Sequence, residues 1–219
     1  MDSGNPPAEE ARVPRERPWI ARLWGILAEP RAEWAVIETE EDTIRGLMVR
    51  WVAPLAAVGP VAKLVGSQLF GRNQYGADMR PPIQTALTEA AVTWLLTLAG
   101  VWLLARMISG LAVYFGGRGH RTQAMKVAAY GGTAAFLSGG FALVPRLEWF
   151  EALGLYSLYL IFAGLPTLMH VTRRKALVFT VVTLLATIGL TIALTIAVIL
   201  SKDSFTPEFP DAAYNYTPP

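Results

Sequence analysis

The chain has 219 residues, 53% of them hydrophobic and only 16% charged, with a formal net charge of +2. Soluble domains carry about 25% charged residues, and so small a net charge gives no electrostatic footing for nucleic acid. With no cysteine, disulfides, thiolate metal sites and cysteine nucleophiles are excluded.

The first 18 residues, "MDSGNPPAEEARVPRERP", have no apolar core or small-residue cleavage site and read as a disordered tail. A cytoplasmic region over 19–47 follows. In "PWIARLWGILAEP" the residues Ile20, Leu23, Trp24 and Leu27 recur at helical spacing. Trp19 and Trp24 flank that stripe and Arg17 and Arg22 supply a polar side. This predicts an amphipathic helix, lying either in the membrane interface or on the protein's own cytoplasmic end. Pro30 should end it, and the acidic "EWAVIETEED" should form a solvated connection or short helix. Asp42 or Thr43 can cap the next helix through a side-chain oxygen.

Apolar runs long enough to cross a bilayer then recur within 48–200, at about 48–70, 86–108, 124–144, 147–169 and 177–200. The expected fold is an all-α polytopic membrane protein: five transmembrane helices plus the N-terminal amphipathic interfacial helix. Residues 201–219 read as a second disordered tail. Fourteen Lys and Arg fall on the side of the N-terminus and four on the other, which predicts a cytoplasmic N-terminus and an outside C-terminus. The short basic loop "GGRGHR" fits that asymmetry and lacks the spacing of a nucleotide loop.

The first span, "WVAPLAAVGPVAKLVG", contains Pro54, Pro60 and Lys63. Pro54 lies in the early turns, whereas Pro60 beside Gly59 should kink the helix, with neighbouring helices compensating. Intramembrane charge is the main pointer to function in such a chain. Here Lys63 and Glu89 sit near the same end of antiparallel neighbouring spans and are expected to pair, forming a candidate intramembrane polar site.

In the third span Ala128, Gly132, Ala135 and Gly139 make a small-residue stripe, matched in the fourth by Gly154, Ser157 and Gly164. Both read as packing surfaces. Glu148 and Glu151 read as a solvated acidic pair at a helix start, since no third ligand or base stands near them in sequence. In the fifth span Thr180, Thr183, Thr187, Thr191 and Thr195 line one face. They are either a wet pathway or hydroxyls bonded back to their own helix. No catalytic, cofactor-binding or metal-ligating set emerges.

The segments "ILAEPRAEW", "WVAPLAAVGPVAKLVG", "AMKVAAYGGTAAFLSGGFALVPRL" and "LGLYSLYLIFAGLPTLM" occur in this order over Trp19 to Leu200. In them the chain resembles the bacterial branch of the Yip-one domain family, the Ypt/Rab-interacting integral membrane proteins. The residues that carry the resemblance most specifically are Tyr130, Pro145, Tyr156, Tyr159, Gly164 and Pro166. It implies five membrane helices, a cytoplasmic N-terminus and no enzymatic activity. Eukaryotic members are associated with Rab-type GTPases, but the short N-terminal region here offers little folded surface for one.

The expectation is a non-enzymatic integral membrane protein of the bacterial inner membrane. It would act through contacts with membrane lipids or with an unidentified membrane or cytoplasmic protein, as a membrane-organising or trafficking-like scaffold, with a homo-oligomer as a further option. The alternative is a small transporter or channel subunit that uses the kinked first span and the threonine face of the fifth.

Overall fold

A computed structural model describes residues 18–74, 77–117, 119–171 and 173–203. The expected N-terminal tail, but for Pro18, and the C-terminal tail beyond Asp203 lie outside the described residues, as does Arg118 of the basic loop.

The chain opens with two short helices, α1 (Trp19–Ala28) and α2 (Pro30–Thr39). Pro30 takes the first position of α2, where its missing N–H costs nothing, so the proline that ends one helix starts the next. The next helix, α3 (Ile44–Leu47), is capped by Thr43, whose Oγ1 accepts from the Gly46 N–H at 3.0 Å.

From there the first span runs on through a π-helical turn (Met48–Val52), α4 (Ala53–Ala56) and α5 (Val58–Phe70). The wide turn precedes Pro54. The ladder breaks at Ala57, just after the Ala56 carbonyl, which a proline at position 60 has no N–H to reach. The first span is thus irregular at two places, the wide turn and Ala57.

A two-stranded antiparallel ribbon, β1 (Arg72–Gln74) and β2 (Ala77–Met79), joins α5 to α6 (Ile83–Tyr114). The ribbon is a small departure from the expected all-helical chain. Beyond the basic loop come α7 (Arg121–Gly131), α8 (Thr133–Ser138) and two 3₁₀ segments, Gly139–Leu143 and Pro145–Leu155. The bundle closes with α9 (Tyr156–Met169) and α10 (Arg173–Asp203).

Four helical stretches are long and apolar enough to cross a membrane: Ile44–Phe70, Ile83–Tyr114, Pro145–Met169 and Leu177–Leu200. The fifth expected span, 124–144, is not one continuous helix. It is interrupted at Gly132 and tightens to 3₁₀ from Gly139. It nevertheless lies at the centre of the bundle, since every residue from Ala124 to Gly131 is buried.

Its breaks are covered by neighbours, as a low-dielectric setting requires. Ser157 Oγ accepts from the Ala135 N–H at 2.8 Å, taking a donor that the restarted helix leaves over. Trp51 Nε1 donates to Thr133 Oγ1 at 3.2 Å. This segment runs alongside the first span, with Trp51 near Thr133, Gly59 against Gly139 and Gly66 against Leu143. A Cβ on Gly139 would stand 2.8 Å from the Gly59 Cα, so the two backbones meet without side chains between them.

Candidate functional site

Two features stand out above the packed bundle: a polar cleft that adjoins an apolar groove, and a buried charged cluster that holds α1 and α2.

Lys63 lies on α5 seven residues before its end, and Glu89 on α6 six residues after its start. The antiparallel arrangement brings both to the walls of one cleft of about 190 Å³, together with Ser67 and Glu151. Among the described ion pairs none joins Lys63 to Glu89. Glu151 is the residue that sequence reading placed elsewhere. It belongs to the 3₁₀ segment Pro145–Leu155, which folds back along α8 and the preceding 3₁₀ turn, and this brings it to the cleft that Lys63 lines. The third acidic or basic partner of the site was therefore present but distant in sequence, and only the hairpin at Val144 reveals it.

The cleft adjoins a larger, open-sided groove of about 720 Å³ between α6, α8, α9 and α10, and Glu151 belongs to both. The groove walls are mainly apolar, with Gly100, Leu104, Ala135 and Ile161 among them. Thr187, Thr191 and Thr195 lie along one wall. Their hydroxyls donate to Thr183 O, Thr187 O and Thr191 O at 2.8, 2.9 and 2.9 Å. Three of the five hydroxyls are thus satisfied on their own helix, while Thr183 Oγ1 is buried with no hydrogen-bond partner among the described residues. The predicted small-residue stripes divide between two roles. Gly139 meets Gly59, and Gly154 and Ser157 pack on Ala135 and Ser138, while Gly132 and Ala135 also face the groove.

The residues that carried the family resemblance are, with two exceptions, gathered where α1 and α2 meet the bundle. Trp34 of α2 is fully buried against Gly164, whose missing side chain makes the room. Tyr130 packs edge-on to Trp34 and against Trp51, with ring centroids 6.4 and 4.9 Å apart, and Arg22 lies over its face at 5.8 Å. Tyr156 donates from its hydroxyl to Leu27 O at 3.0 Å, and Tyr159 lies beside it at 5.3 Å. Pro145 starts the second 3₁₀ segment and Pro166 lies inside α9, both apart from this junction.

The acidic stretch expected as a solvated connection or short helix is the short helix α2 over most of its length, but it is not wholly solvated: Glu33 is buried and Glu38, Glu40 and Asp42 are partly so. Arg22 Nη1 meets Glu33 Oε1 at 2.7 Å, with Glu33 only 2% exposed, and Arg22 Nη2 also bonds Glu40. Lys126 of α7, 1% exposed, donates to Ile37 O at 2.7 Å and to Glu40 O, with Asp42 Oδ2 4.0 Å away. His170 Nε2 lies 2.8 Å from Glu38 Oε1 and Gln123 Nε2 donates to Glu38 O at 3.2 Å. Two basic residues on distant segments draw the carboxylates and carbonyls of α2 inward.

Helix α1 packs on the protein through one side of its stripe. Ile26 is fully buried and Leu23 and Leu27 are partly so, while Trp19, Ile20 and Trp24 are exposed, Ile20 at 76% and Trp24 at 70%. It packs on the protein and still shows an apolar outer face.

Among the described residues no group of three His, Asp or Glu is placed to hold a metal ion. The Yip1 domain model matches residues 24–195 of the chain. The inner membrane protein YohC of Escherichia coli strain K12 is 30% identical over 171 residues, covering 75% of this chain and 87% of that protein. The YohC of Escherichia coli O6:H1 strain CFT073 matches to the same extent. No solved structure matches the chain.

Proposed function

The chain belongs to the Yip1 domain family, and from that premise we propose that it is a non-enzymatic protein of the bacterial inner membrane that works by holding lipid and protein partners. Its N-terminus lies in the cytoplasm and its C-terminus outside, as the excess of Lys and Arg on the N-terminal side favours. The broken segment 121–143 serves as the fifth crossing, because it runs beside the first span from Tyr130 and Trp51 to Leu143 and Gly66.

The observation that carries this reading is the open, mainly apolar groove with its threonine hydroxyls turned back on α10. An ion pathway needs polar groups presented to the solute across the bilayer centre. A groove of this size and character suits an acyl chain or an apolar helix face, and its volume lies in the range of ordinary ligand pockets. The exposed Trp19, Ile20 and Trp24 add a second contact surface, suited to the membrane interface.

Reconstitution in liposomes tests it. The protein should carry lipid through purification and show no ion or small-solute flux. The transport reading draws its support from the junction of the groove with the Lys63–Glu89–Glu151 cleft. A flux that disappears on Lys63→Ala would establish that reading instead.

A further inference from the structure

The groove and the cleft have the dimensions and charge of a site for one particular kind of amphiphile. At ~1.5 Å per residue, the groove wall from Thr187 to Val198 is about 17 Å long. That is close to half of the ~30 Å hydrocarbon core, the depth of one leaflet. At one end of the groove stand Lys63, Glu89 and Glu151.

Their depth fits a headgroup. Helix α6 has 32 residues and so measures about 48 Å; upright and centred, it would exceed the hydrocarbon core by about 9 Å at each end. Glu89, six residues from its start, lies at about that boundary. The cleft is therefore level with the headgroups of the leaflet farther from α1 and α2, and the groove runs from it toward the bilayer centre.

The charges select among headgroups. Lys63 brings an ammonium and Glu151 a carboxylate to the cleft, so an anionic headgroup seated on Lys63 would meet its own sign at Glu151. A zwitterion with a phosphate near the glycerol and an amine at its tip meets both signs. Lys63 and Glu151 are both exposed to the opening, so each can contact a headgroup without leaving the cleft. We propose that the groove seats an acyl chain of a zwitterionic phospholipid with a primary amine, its phosphate on Lys63 and its ammonium on Glu151. This rests on the lipid-holding reading above and names its ligand class.

The experiment is lipid competition on the full chain. Purified protein is equilibrated with vesicles of equimolar phosphatidylethanolamine, phosphatidylcholine and phosphatidylglycerol with matched acyl chains, re-isolated, and its bound lipid weighed by mass spectrometry. Phosphatidylethanolamine should be retained about tenfold over the other two, the order of one charge-assisted hydrogen bond. Phosphatidylcholine has the same charges but no N–H to donate, so it isolates the amine.

Glu151→Gln should bring the three lipids to near parity, and Thr191→Phe, which fills the groove, should lower retention of all three. Equal retention of the three by the unaltered protein overturns the headgroup assignment and leaves the groove standing. So does a preference for phosphatidylglycerol, or a preference untouched by Glu151→Gln. If the unaltered protein retains no lipid at all, the lipid-holding reading fails with it. The comparison of the three lipids on the unaltered chain keeps the proposal testable whatever the variants do.

Discussion

Arg22 and Glu33 form a 2.7 Å ion pair in which both side chains are almost wholly shielded from solvent. The pair joins the first turns of α1 to the first turns of α2, and its second arm to Glu40 ties down the end of α2. Removing Arg22 takes from the buried Glu33 carboxylate its 2.7 Å partner, and breaking a buried pair in this way costs up to about 3–5 kcal/mol. Arg22→Ala should therefore lower the melting temperature in detergent and raise hydrogen exchange over residues 19–40, with α6 and α10 unaffected. Arg22→Lys should restore only part, because an ammonium does not reproduce the forked contact with two carboxylates. Exchange that is unchanged in α1 and α2 would show the pair does not hold them.

Gly164 is the seat of Trp34. A Cβ there would fall 2.6 to 2.9 Å from three atoms of the indole, inside van der Waals contact. Gly164→Ala should cost about 1–3 kcal/mol by overpacking, and should free α2 for proteolysis. Trp34→Phe removes the bulk that collides, so the double variant should be more stable than Gly164→Ala alone. A double variant that is the sum of two losses would refute this account of the contact.

The threonine face makes the opposite kind of prediction. Thr187, Thr191 and Thr195 each donate to a carbonyl of their own helix. Replacing all three by valine removes hydroxyls that make no contact across the groove, so stability should move by no more than about 1 kcal/mol. Lipid retention should persist. A large loss of stability would mean that these hydroxyls bond to something other than α10.

Much of this architecture was legible because it follows from runs and spacings. Hydropathy located the four long crossings, and the proline positions marked where the first span is irregular. The third segment was harder. Its composition is apolar enough, but Gly132 and Gly139 interrupt it, and a hydropathy window does not register a broken ladder that neighbours repair. The charged residues misled for a different reason. Glu33 reads as solvated because its partner Arg22 lies on another helix, and the cleft that the exposed Glu151 shares with Lys63 is invisible because the two are 88 positions apart in the chain. Periodicity reports which face of an element is apolar, while the pairing of distant charges is a property of topology.

Lys126 is the clearest case of such pairing and allows a sharp test. It was counted with the basic residues that set orientation, yet its side chain is only 1% exposed and its Nζ donates to Ile37 O at 2.7 Å and to Glu40 O. Those carbonyls belong to the end of α2 and the connection after it, where helical partners have run out. The Asp42 carboxylate lies 4.0 Å from the same ammonium. Lys126→Met keeps the length of the stem and removes all three donors, so Ile37 O and Glu40 O lose their partner inside the bundle. Two carbonyls at about 1–3 kcal/mol each set the scale of the loss. Exchange should rise at residues 37–43 more than at 19–28, because Arg22 still holds α1. If Lys126 served only to set membrane orientation, Lys126→Met would leave exchange at 37–43 as it was, and a cysteine-accessibility map of the termini would change instead.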